Sequence, residues 1–438
     1  MRLTVKQMVR RRLARAVPLL AACALAGALA AQGPPSGAPA ASGLAPDRLA
    51  RVDAAFRDAV AEGKIAGAVV YVARGGRVVD FDAVGWQDAE NRVPMRRDTI
   101  FRIASMSKAV TTVAALILVE EGRLALDAPV SRYIPAFART SVLVPAPKDA
   151  PAGTPARVEP AKRPITIRDL MTHTSGISYG SGALEDRYKA AHAYGWYLAD
   201  KDETLASFVD RLATLPFEAQ PGARFVYGFS TDVLGRVVEV VSGRSLEAFF
   251  DERIFRPLRM PDTSFFLPPG KRGRLATVYG LAETGALVRA PESGSTGQGA
   301  YVDGPRKCFS GGAGLLSTAT DYARLLQMLL NGGELDGVRV LAPKTVELAT
   351  SNLVGTLYDD GRLGFGLGFE VTEKVGPAGR LDSPGAFGWG SAYYPRYFVD
   401  PEEKLVAFFL AQLVPAGDYD LHKRFRTLVY QSIVGASP

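Results

Sequence analysis

In FRIASMSKAVTTVAALILVEEGRLALD, Phe101 to Asp127, Ser105 opens an apolar run and Lys108 follows three residues later. Val110, Val113, Ala114, Ile117 and Leu118 recur at helical spacing, which predicts a helix over 107–121, and Gly122 supplies a stop. Residues i and i+3 share a helix face, so the Lys108 amine can lie beside the Ser105 hydroxyl. A serine is a weak nucleophile until an adjacent base takes its proton, and a lysine held against apolar neighbours can be that base. The start of a helix also offers partial positive charge where an oxyanion would form. S-x-x-K is short enough that roughly one chance match is expected in a chain this long. No other serine in the chain has a lysine three residues on.

The chain has 438 residues, 47% hydrophobic and 22% charged, an ordinary globular composition with room for a large core. Its first 31 residues differ from the rest. Arg2, Lys6, Arg10, Arg11, Arg12 and Arg15 precede an uncharged apolar run from Ala16 to Ala31, and Ala28-Leu29-Ala30 is a small-x-small cleavage site. This pattern predicts a signal peptide over 1–31 and an exported, periplasmic or secreted protein. The run contains Pro18 and is shorter than the roughly 20 residues a spanning helix needs, so no stable membrane span is expected. Leu20-Ala21-Ala22-Cys23 resembles a bacterial lipoprotein box, which leaves the alternative of a lipid anchor on Cys23. The apolar sequence that continues after Cys23 counts against that alternative.

The formal charge is +7, and six basic residues lie in the leader, so the mature chain carries about +1. A nearly neutral chain gives no reason to expect nucleic acid as a partner. Cleavage leaves Cys308 alone, and His173, His192 and His422 are scattered, so neither a disulfide nor a metal site is expected.

Residues 32–46 are rich in Pro, Gly, Ala and Ser and read as a flexible linker, followed by one domain over 47–435. Asp47 is positioned to cap a first helix that Gly63 ends. Residues 67–74 and 77–84 read as a hairpin around Gly75-Gly76, and 396–400 and 405–411 as a second antiparallel pair. Helical patterns occupy 166–172, 203–213, 230–242, 245–255, 320–331 and about 420–434. Strands near both termini with helices between them predict an α+β fold. It would have one antiparallel sheet flanked by helices (about 47–104 and 303–435) and an inserted, mostly helical lobe (about 105–302). The loops 140–163 and 267–300 exceed the usual connection length and are expected to border a site.

Two further elements bear on chemistry. FVYGFSTDVLG, Phe225 to Gly235, places Tyr227 in a loop before a helix, where a tyrosine beside a cation can move a proton. A lone tyrosine is more often an amphipathic core residue. FGWGSAYY, Phe387 to Tyr394, is a small, Gly-rich strand that lets substrate backbone approach and can present an N–H to an oxyanion. The plainer reading is an edge strand with a packed tryptophan.

With DTIFRIASMSK (98–108), ITIRDLMTHTSG (165–176) and GGAGLLSTATD (311–321), these elements resemble the serine β-lactamase-like superfamily over nearly all of the mature chain. That superfamily includes class C β-lactamases, D-alanyl-D-alanine carboxypeptidases and family VIII carboxylesterases and transesterases. The resemblance implies a β-lactamase/transpeptidase-like fold, Ser105 as acylated nucleophile, Lys108 as its base and Tyr227 as proton shuttle. It also implies an oxyanion hole from the N–H groups of Ser105 and Ala392, and no cofactor. Phe229 stands where the Y-x-N element ends in asparagine, and Trp389-Gly390-Ser391 stands where β-lactamases have K-T-G. The W-G-G form of the third element is the pattern of the esterase branch, with Ser391 replacing its last glycine. Substrate contacts are therefore expected from Trp389, Gly390, Ser391 and Phe229, with a small-molecule ester as substrate. A β-lactamase or D-amino-acid peptidase is the nearest rival. A non-catalytic envelope binding protein is the rival of another class, and such a module need not retain all of Ser105, Lys108 and Tyr227.

GISYG, Gly176 to Gly180, also fits the G-x-S-x-G nucleophile elbow, with His422 nominally completing a triad around Ser178. That elbow needs a hydrophobic strand before the serine and a helix after it, and the pattern over 167–172 is helical.

Overall fold

The computed structural model describes residues 36–146, 149, 151, 156–415 and 420–436. The expected signal peptide, its Cys23 alternative and residues 32–35 of the expected linker lie outside the described residues.

A first helix, α1 (Pro46–Ala61), leads into the strands β1 (Gly67–Arg74), β2 (Arg77–Asp88) and β3 (Val93–Pro94). Helices α2 (Ser107–Glu120), α3 (Ile167–Met171), α4 (Leu205–Leu212), α5 (Ser230–Ser242) and α6 (Ala319–Leu330) follow. The chain closes with β4 (Gly364–Phe365), β5 (Glu370–Val371), β6 (Phe387–Gly390), β7 (Arg396–Asp400), β8 (Leu405–Ala411) and helix α7 (Leu421–Tyr430). The eight strands form one antiparallel sheet in the order β4-β5-β6-β7-β8-β1-β2-β3, so its first and last strands in sequence lie side by side near its middle. There Ala68 pairs with Ala411 and Arg74 with Leu405. The β1–β2 turn is the expected two-residue one, with Gly75 and Gly76 at φ of 60° and 74°, a conformation that favours glycine at both positions.

Alternation along β1 and β8 divides the core in two, because successive side chains of a strand point to opposite faces. Val69, Tyr71, Val406, Phe408 and Leu410 join the larger core with α2, α5 and α6. Ala68, Val70, Val72, Ala407 and Phe409 face a smaller core with Phe56 of α1 and Phe425 and Val429 of α7. Helix α2 is buried nearly all round, from Ser107 to Leu118. Its apolar run is therefore the axis of the larger core rather than a surface stripe.

Several sequence expectations need correction. Residues 36–46 do not behave as a free linker. Gly37 N–H donates to the Val78 carbonyl (2.8 Å), Leu44 bridges Ile433, and the buried Arg74 guanidinium binds the carbonyls of Ser42, Gly43 and Gly435. Helix α1 begins at Pro46 after Ala45, with Asp47 inside its first turn rather than at the cap. The long loops carry pairings of their own: Ser141–Val144 with Arg157–Pro160, and Tyr279–Leu281 with Leu287–Arg289.

Candidate active site

Ser105 lies in the 3-10 turn Ala104–Met106 that feeds α2, so it and Lys108 are one helical turn apart. The turn is pinned from outside the helix. Ile103 N–H donates to the Leu315 carbonyl (3.0 Å), Leu315 N–H to Ser107 Oγ (3.0 Å), and the Tyr322 hydroxyl to the Met106 carbonyl (3.0 Å). Ser107 is thus occupied in holding backbone, while Ser105 faces a cavity.

Lys108 is buried, and its Nζ donates to the Gly312 carbonyl (2.8 Å) and the Tyr179 hydroxyl (3.2 Å) and lies 3.4 Å from Ser105 Oγ. It also sits 4.7 Å from the centre of the Tyr227 ring. Gly312 is fixed in turn by Asp232 of α5, whose Oδ1 accepts from Gly312 N–H (3.1 Å) and Ser310 Oγ (2.6 Å). Asp232 therefore positions the lysine through a backbone carbonyl. Burial pushes the Asp232 carboxyl up, and the Ser310 hydrogen bond and Lys108 oppose that shift.

Tyr227 precedes α5, and Trp389 Nε1 donates to its hydroxyl at 3.2 Å. Gly228 allows this segment to lie against residues 177–178, since a Cβ there would fall 2.3 Å from the Ile177 carbonyl oxygen. The Tyr179 ring meets that of Tyr227 edge to face at 5.7 Å. Burial first, then the nearby Tyr227 and Asp232, pushes the Tyr179 hydroxyl well above the usual phenol range, so it keeps its proton. The His173 ring lies tilted against that of Tyr227 at 4.8 Å, and burial together with Lys108 holds its imidazole neutral.

The cavity measures about 280 Å³ and is lined by Ser105, Tyr179, Tyr227, Gly390, Ser391 and Ala392, by the aromatic rings of Trp196, Tyr358 and Trp389, and by the ion pair Glu370–Arg396. That volume is at the small end for ligand pockets and suits a short substrate. Tyr358 donates to Glu370 Oε2 (2.7 Å), and Arg380 and Arg396 both bind Oε1, the latter at 3.1 Å. Burial alone would raise the Glu370 carboxyl, but the two arginines outweigh it and hold it at about 2.

The structure brings together Ser105, Lys108, Tyr227, Trp389, Gly390, Ser391 and Ala392, but not Phe229. Phe229 is fully buried beneath the site, with its ring 4.8 Å from Tyr179 and 5.0 Å from Phe208. A substrate contact from it is corrected to a packing role, because the chain turns into α5 at that residue and carries the side chain inward. None of the described residues of the long loops lines this cavity. Residues of 140–163 and of 267–300 each line a different hollow. The elbow does not form either: Ser178 follows the short helix α3 and a loop, its Oγ accepts from Gly180 N–H, and His422 bonds the Tyr394 carbonyl. Sequence reasoning missed Tyr179, Trp196, Tyr358, Glu370 and Arg396. Tyr179 stood inside the GISYG motif, and the others carried no local signal.

The Beta-lactamase family model matches residues 52–431. The chain belongs to the β-lactamase family. Within this family it is a serine hydrolase with the β-lactamase/transpeptidase-like fold. Protein Rv1367c of Mycobacterium tuberculosis is 38% identical over 381 residues, covering 83% of this chain and 89% of that protein. Esterase EstB of Burkholderia gladioli is 34% identical over 371 residues, covering 80% of this chain and 87% of that one. Among solved structures, "EstCE1, a hydrolase with promiscuous acyltransferase activity" superposes with a TM-score of 0.74 at 30% identity, covering 88% of this chain and 99% of that one.

Proposed function

We propose that this β-lactamase-family protein hydrolyses short carboxylic esters through an acyl-enzyme on Ser105. The observation that carries the reading is the placement of Lys108 Nζ 3.4 Å from Ser105 Oγ, beneath the Tyr227 ring and beside a small, aromatic-walled cavity. Lys108 takes the Ser105 proton as Oγ attacks the ester carbonyl. The backbone N–H groups of Ser105 and Ala392 receive the negative charge that develops on the carbonyl oxygen. Tyr227 gives its hydroxyl proton to the departing alkoxide and recovers one from the Lys108 ammonium, so the alcohol leaves and Lys108 is again a free base. Water then attacks the acyl group, surrenders its proton to the same base, and Ser105 leaves protonated. The esterase names of the relatives agree with this chemistry.

Trp389 stands where β-lactamases place a lysine that pairs with the β-lactam carboxylate. A hydrogen bond to a charged group is worth roughly 1.5–3 kcal/mol, or about 10- to 150-fold. An uncharged ester loses nothing at this position and gains an apolar wall. The test compares kcat/KM for p-nitrophenyl butyrate with that for benzylpenicillin. The ester should be far the better substrate. Efficient penicillin hydrolysis with negligible esterase activity would transfer the protein to the β-lactamase or peptidase reading. No adduct with a fluorophosphonate probe on native protein would favour the binding module.

We also propose export, from the Arg-rich segment, apolar run and small-x-small site of residues 1–31. Intact mass of protein from a secreting host decides the matter. A new terminus near Ala31 supports cleavage, a lipid-modified Cys23 supports the lipoprotein, and an intact leader refutes both.

A further inference from the structure

A neutral ester needs no cation in its pocket, yet Arg396 lines this one. It opens β7 directly across from Gly390 of β6, and its guanidinium lies over that glycine, where a Cβ would sit 3.5 Å from Arg396 Nη1. The Arg396 side chain is only 24% exposed, so it is held within the wall rather than waving in solvent. Neutralising Glu370 does not account for it. Arg380 already binds Oε1 and the Tyr358 hydroxyl holds Oε2, and with the neighbouring Arg426–Asp382 pair counted, three guanidiniums face two carboxylates. Glu370 is the one carboxylate among the described residues lining the cavity. This corner therefore carries a net positive charge against aromatic rings, where water screens it poorly.

We propose that Arg396 receives a carboxylate on the substrate, so that the preferred esters are monoanions: half-esters of short dicarboxylic acids or esters of small hydroxy acids. A guanidinium's planar fork matches a carboxylate, and one surplus positive charge matches one negative charge. The cavity is small enough that a group on Arg396 and a carbonyl on Ser105 would belong to one short molecule. This inference rests on the ester-hydrolase reading, which it narrows to a substrate class.

The experiment separates binding from turnover. Ser105→Ala protein is titrated calorimetrically with monomethyl glutarate and with dimethyl glutarate, and with 3-acetoxybutyrate and its methyl ester to place the charge on the alcohol side. At least one monoanion should bind about 10-fold more tightly than its neutral counterpart. Adding Arg396→Gln should erase that preference, and Arg396→Lys, which keeps the charge without the fork, should retain part of it. Equal affinity for charged and neutral esters in the Ser105→Ala protein overturns the proposal, as does a preference that survives in a folded Arg396→Gln protein. Wild-type turnover of p-nitrophenyl butyrate is measured alongside. Turnover without anion preference sinks the carboxylate site and leaves the esterase. Anion preference in binding without ester turnover sinks the esterase and leaves the site.

Discussion

The indole N–H of Trp389 donates to the hydroxyl of Tyr227 at 3.2 Å, linking the third sequence element of the site to the second. One oxygen lone pair of Tyr227 is thereby engaged, and its ring stays over Lys108. Trp389→Phe keeps an aromatic wall and removes the donor. A neutral hydrogen bond contributes about 0.5–1.5 kcal/mol, so kcat for p-nitrophenyl butyrate should fall about 2- to 10-fold with little change in KM. Steady-state kinetics on the purified variant checks this, and an unchanged kcat would mean the bond has no part in the reaction.

Ser105→Ala and Lys108→Ala should each lower kcat by about three orders of magnitude or more, and the double variant should be no worse than either one, because members of a catalytic unit act non-additively. Ser178→Ala should stay within a few-fold of wild type, since its hydroxyl braces Gly180 and Tyr188 and does not line the cavity. Loss of activity in Ser178→Ala with Ser105→Ala still active would reverse the assignment.

Restoring the β-lactamase-type asparagine at position 229 should harm the protein without conferring penicillin turnover. Phe229 packs against Tyr179 and Phe208 with no exposure, so Phe229→Asn leaves a cavity and buries an amide. Denaturant unfolding should show a loss of about 3 kcal/mol or more.

Asp80 on β2 lies against Asp53 of α1, with Asp82 and Arg57 close by. Burial first, then the charges of Asp53 and Asp82, pushes its carboxyl up to about 8. The folded chain thus holds a proton that the unfolded chain releases near pH 4, so stability declines as pH rises from there and levels off above 8. The slope for one proton is at most about 1.4 kcal/mol per pH unit. Urea midpoints between pH 5 and 9 should fall in the wild type and stay nearly flat in Asp80→Asn. Parallel curves for the two would remove Asp80 as the cause.

What was legible in the chain follows from how local each signal is. The Ser105–Lys108 pair is an i, i+3 relation on one helix, and the 67–84 hairpin is written in its two glycines and alternation. Both survive folding because neighbours in sequence suffice to form them. Tyr227 and Trp389 needed the ordered motifs as well, since nothing local says that two segments 162 positions apart will meet. Phe229 shows the limit of motif alignment: position in a motif does not give depth, and the turn into α5 took the ring under Tyr179. Tyr358, Glu370 and Arg396 reach the cavity from the short strands and turns around β5 and β7, where tertiary packing alone sets direction. Loop length misled in another way, because 140–163 and 267–300 use their residues to pair with themselves and to line other hollows. Composition misled at 36–46, where the Arg74 guanidinium supplies the donors that a Pro/Gly-rich segment would otherwise find in water.

The seam at the centre of the sheet, where Ala68 meets Ala411, dictates how the chain can reach its native state. On a ribosome or at a translocation pore, β1 and β2 emerge first and must wait for nearly the whole remaining sequence before β8 arrives. Until then β1 is an open edge with apolar residues on both faces, a template for pairing with other chains. Such long-range closure makes for slow folding and a lengthy exposed intermediate. Truncations that remove β8 and α7 should therefore yield aggregates rather than a smaller working enzyme, however complete the Ser105 site looks in the residues that remain.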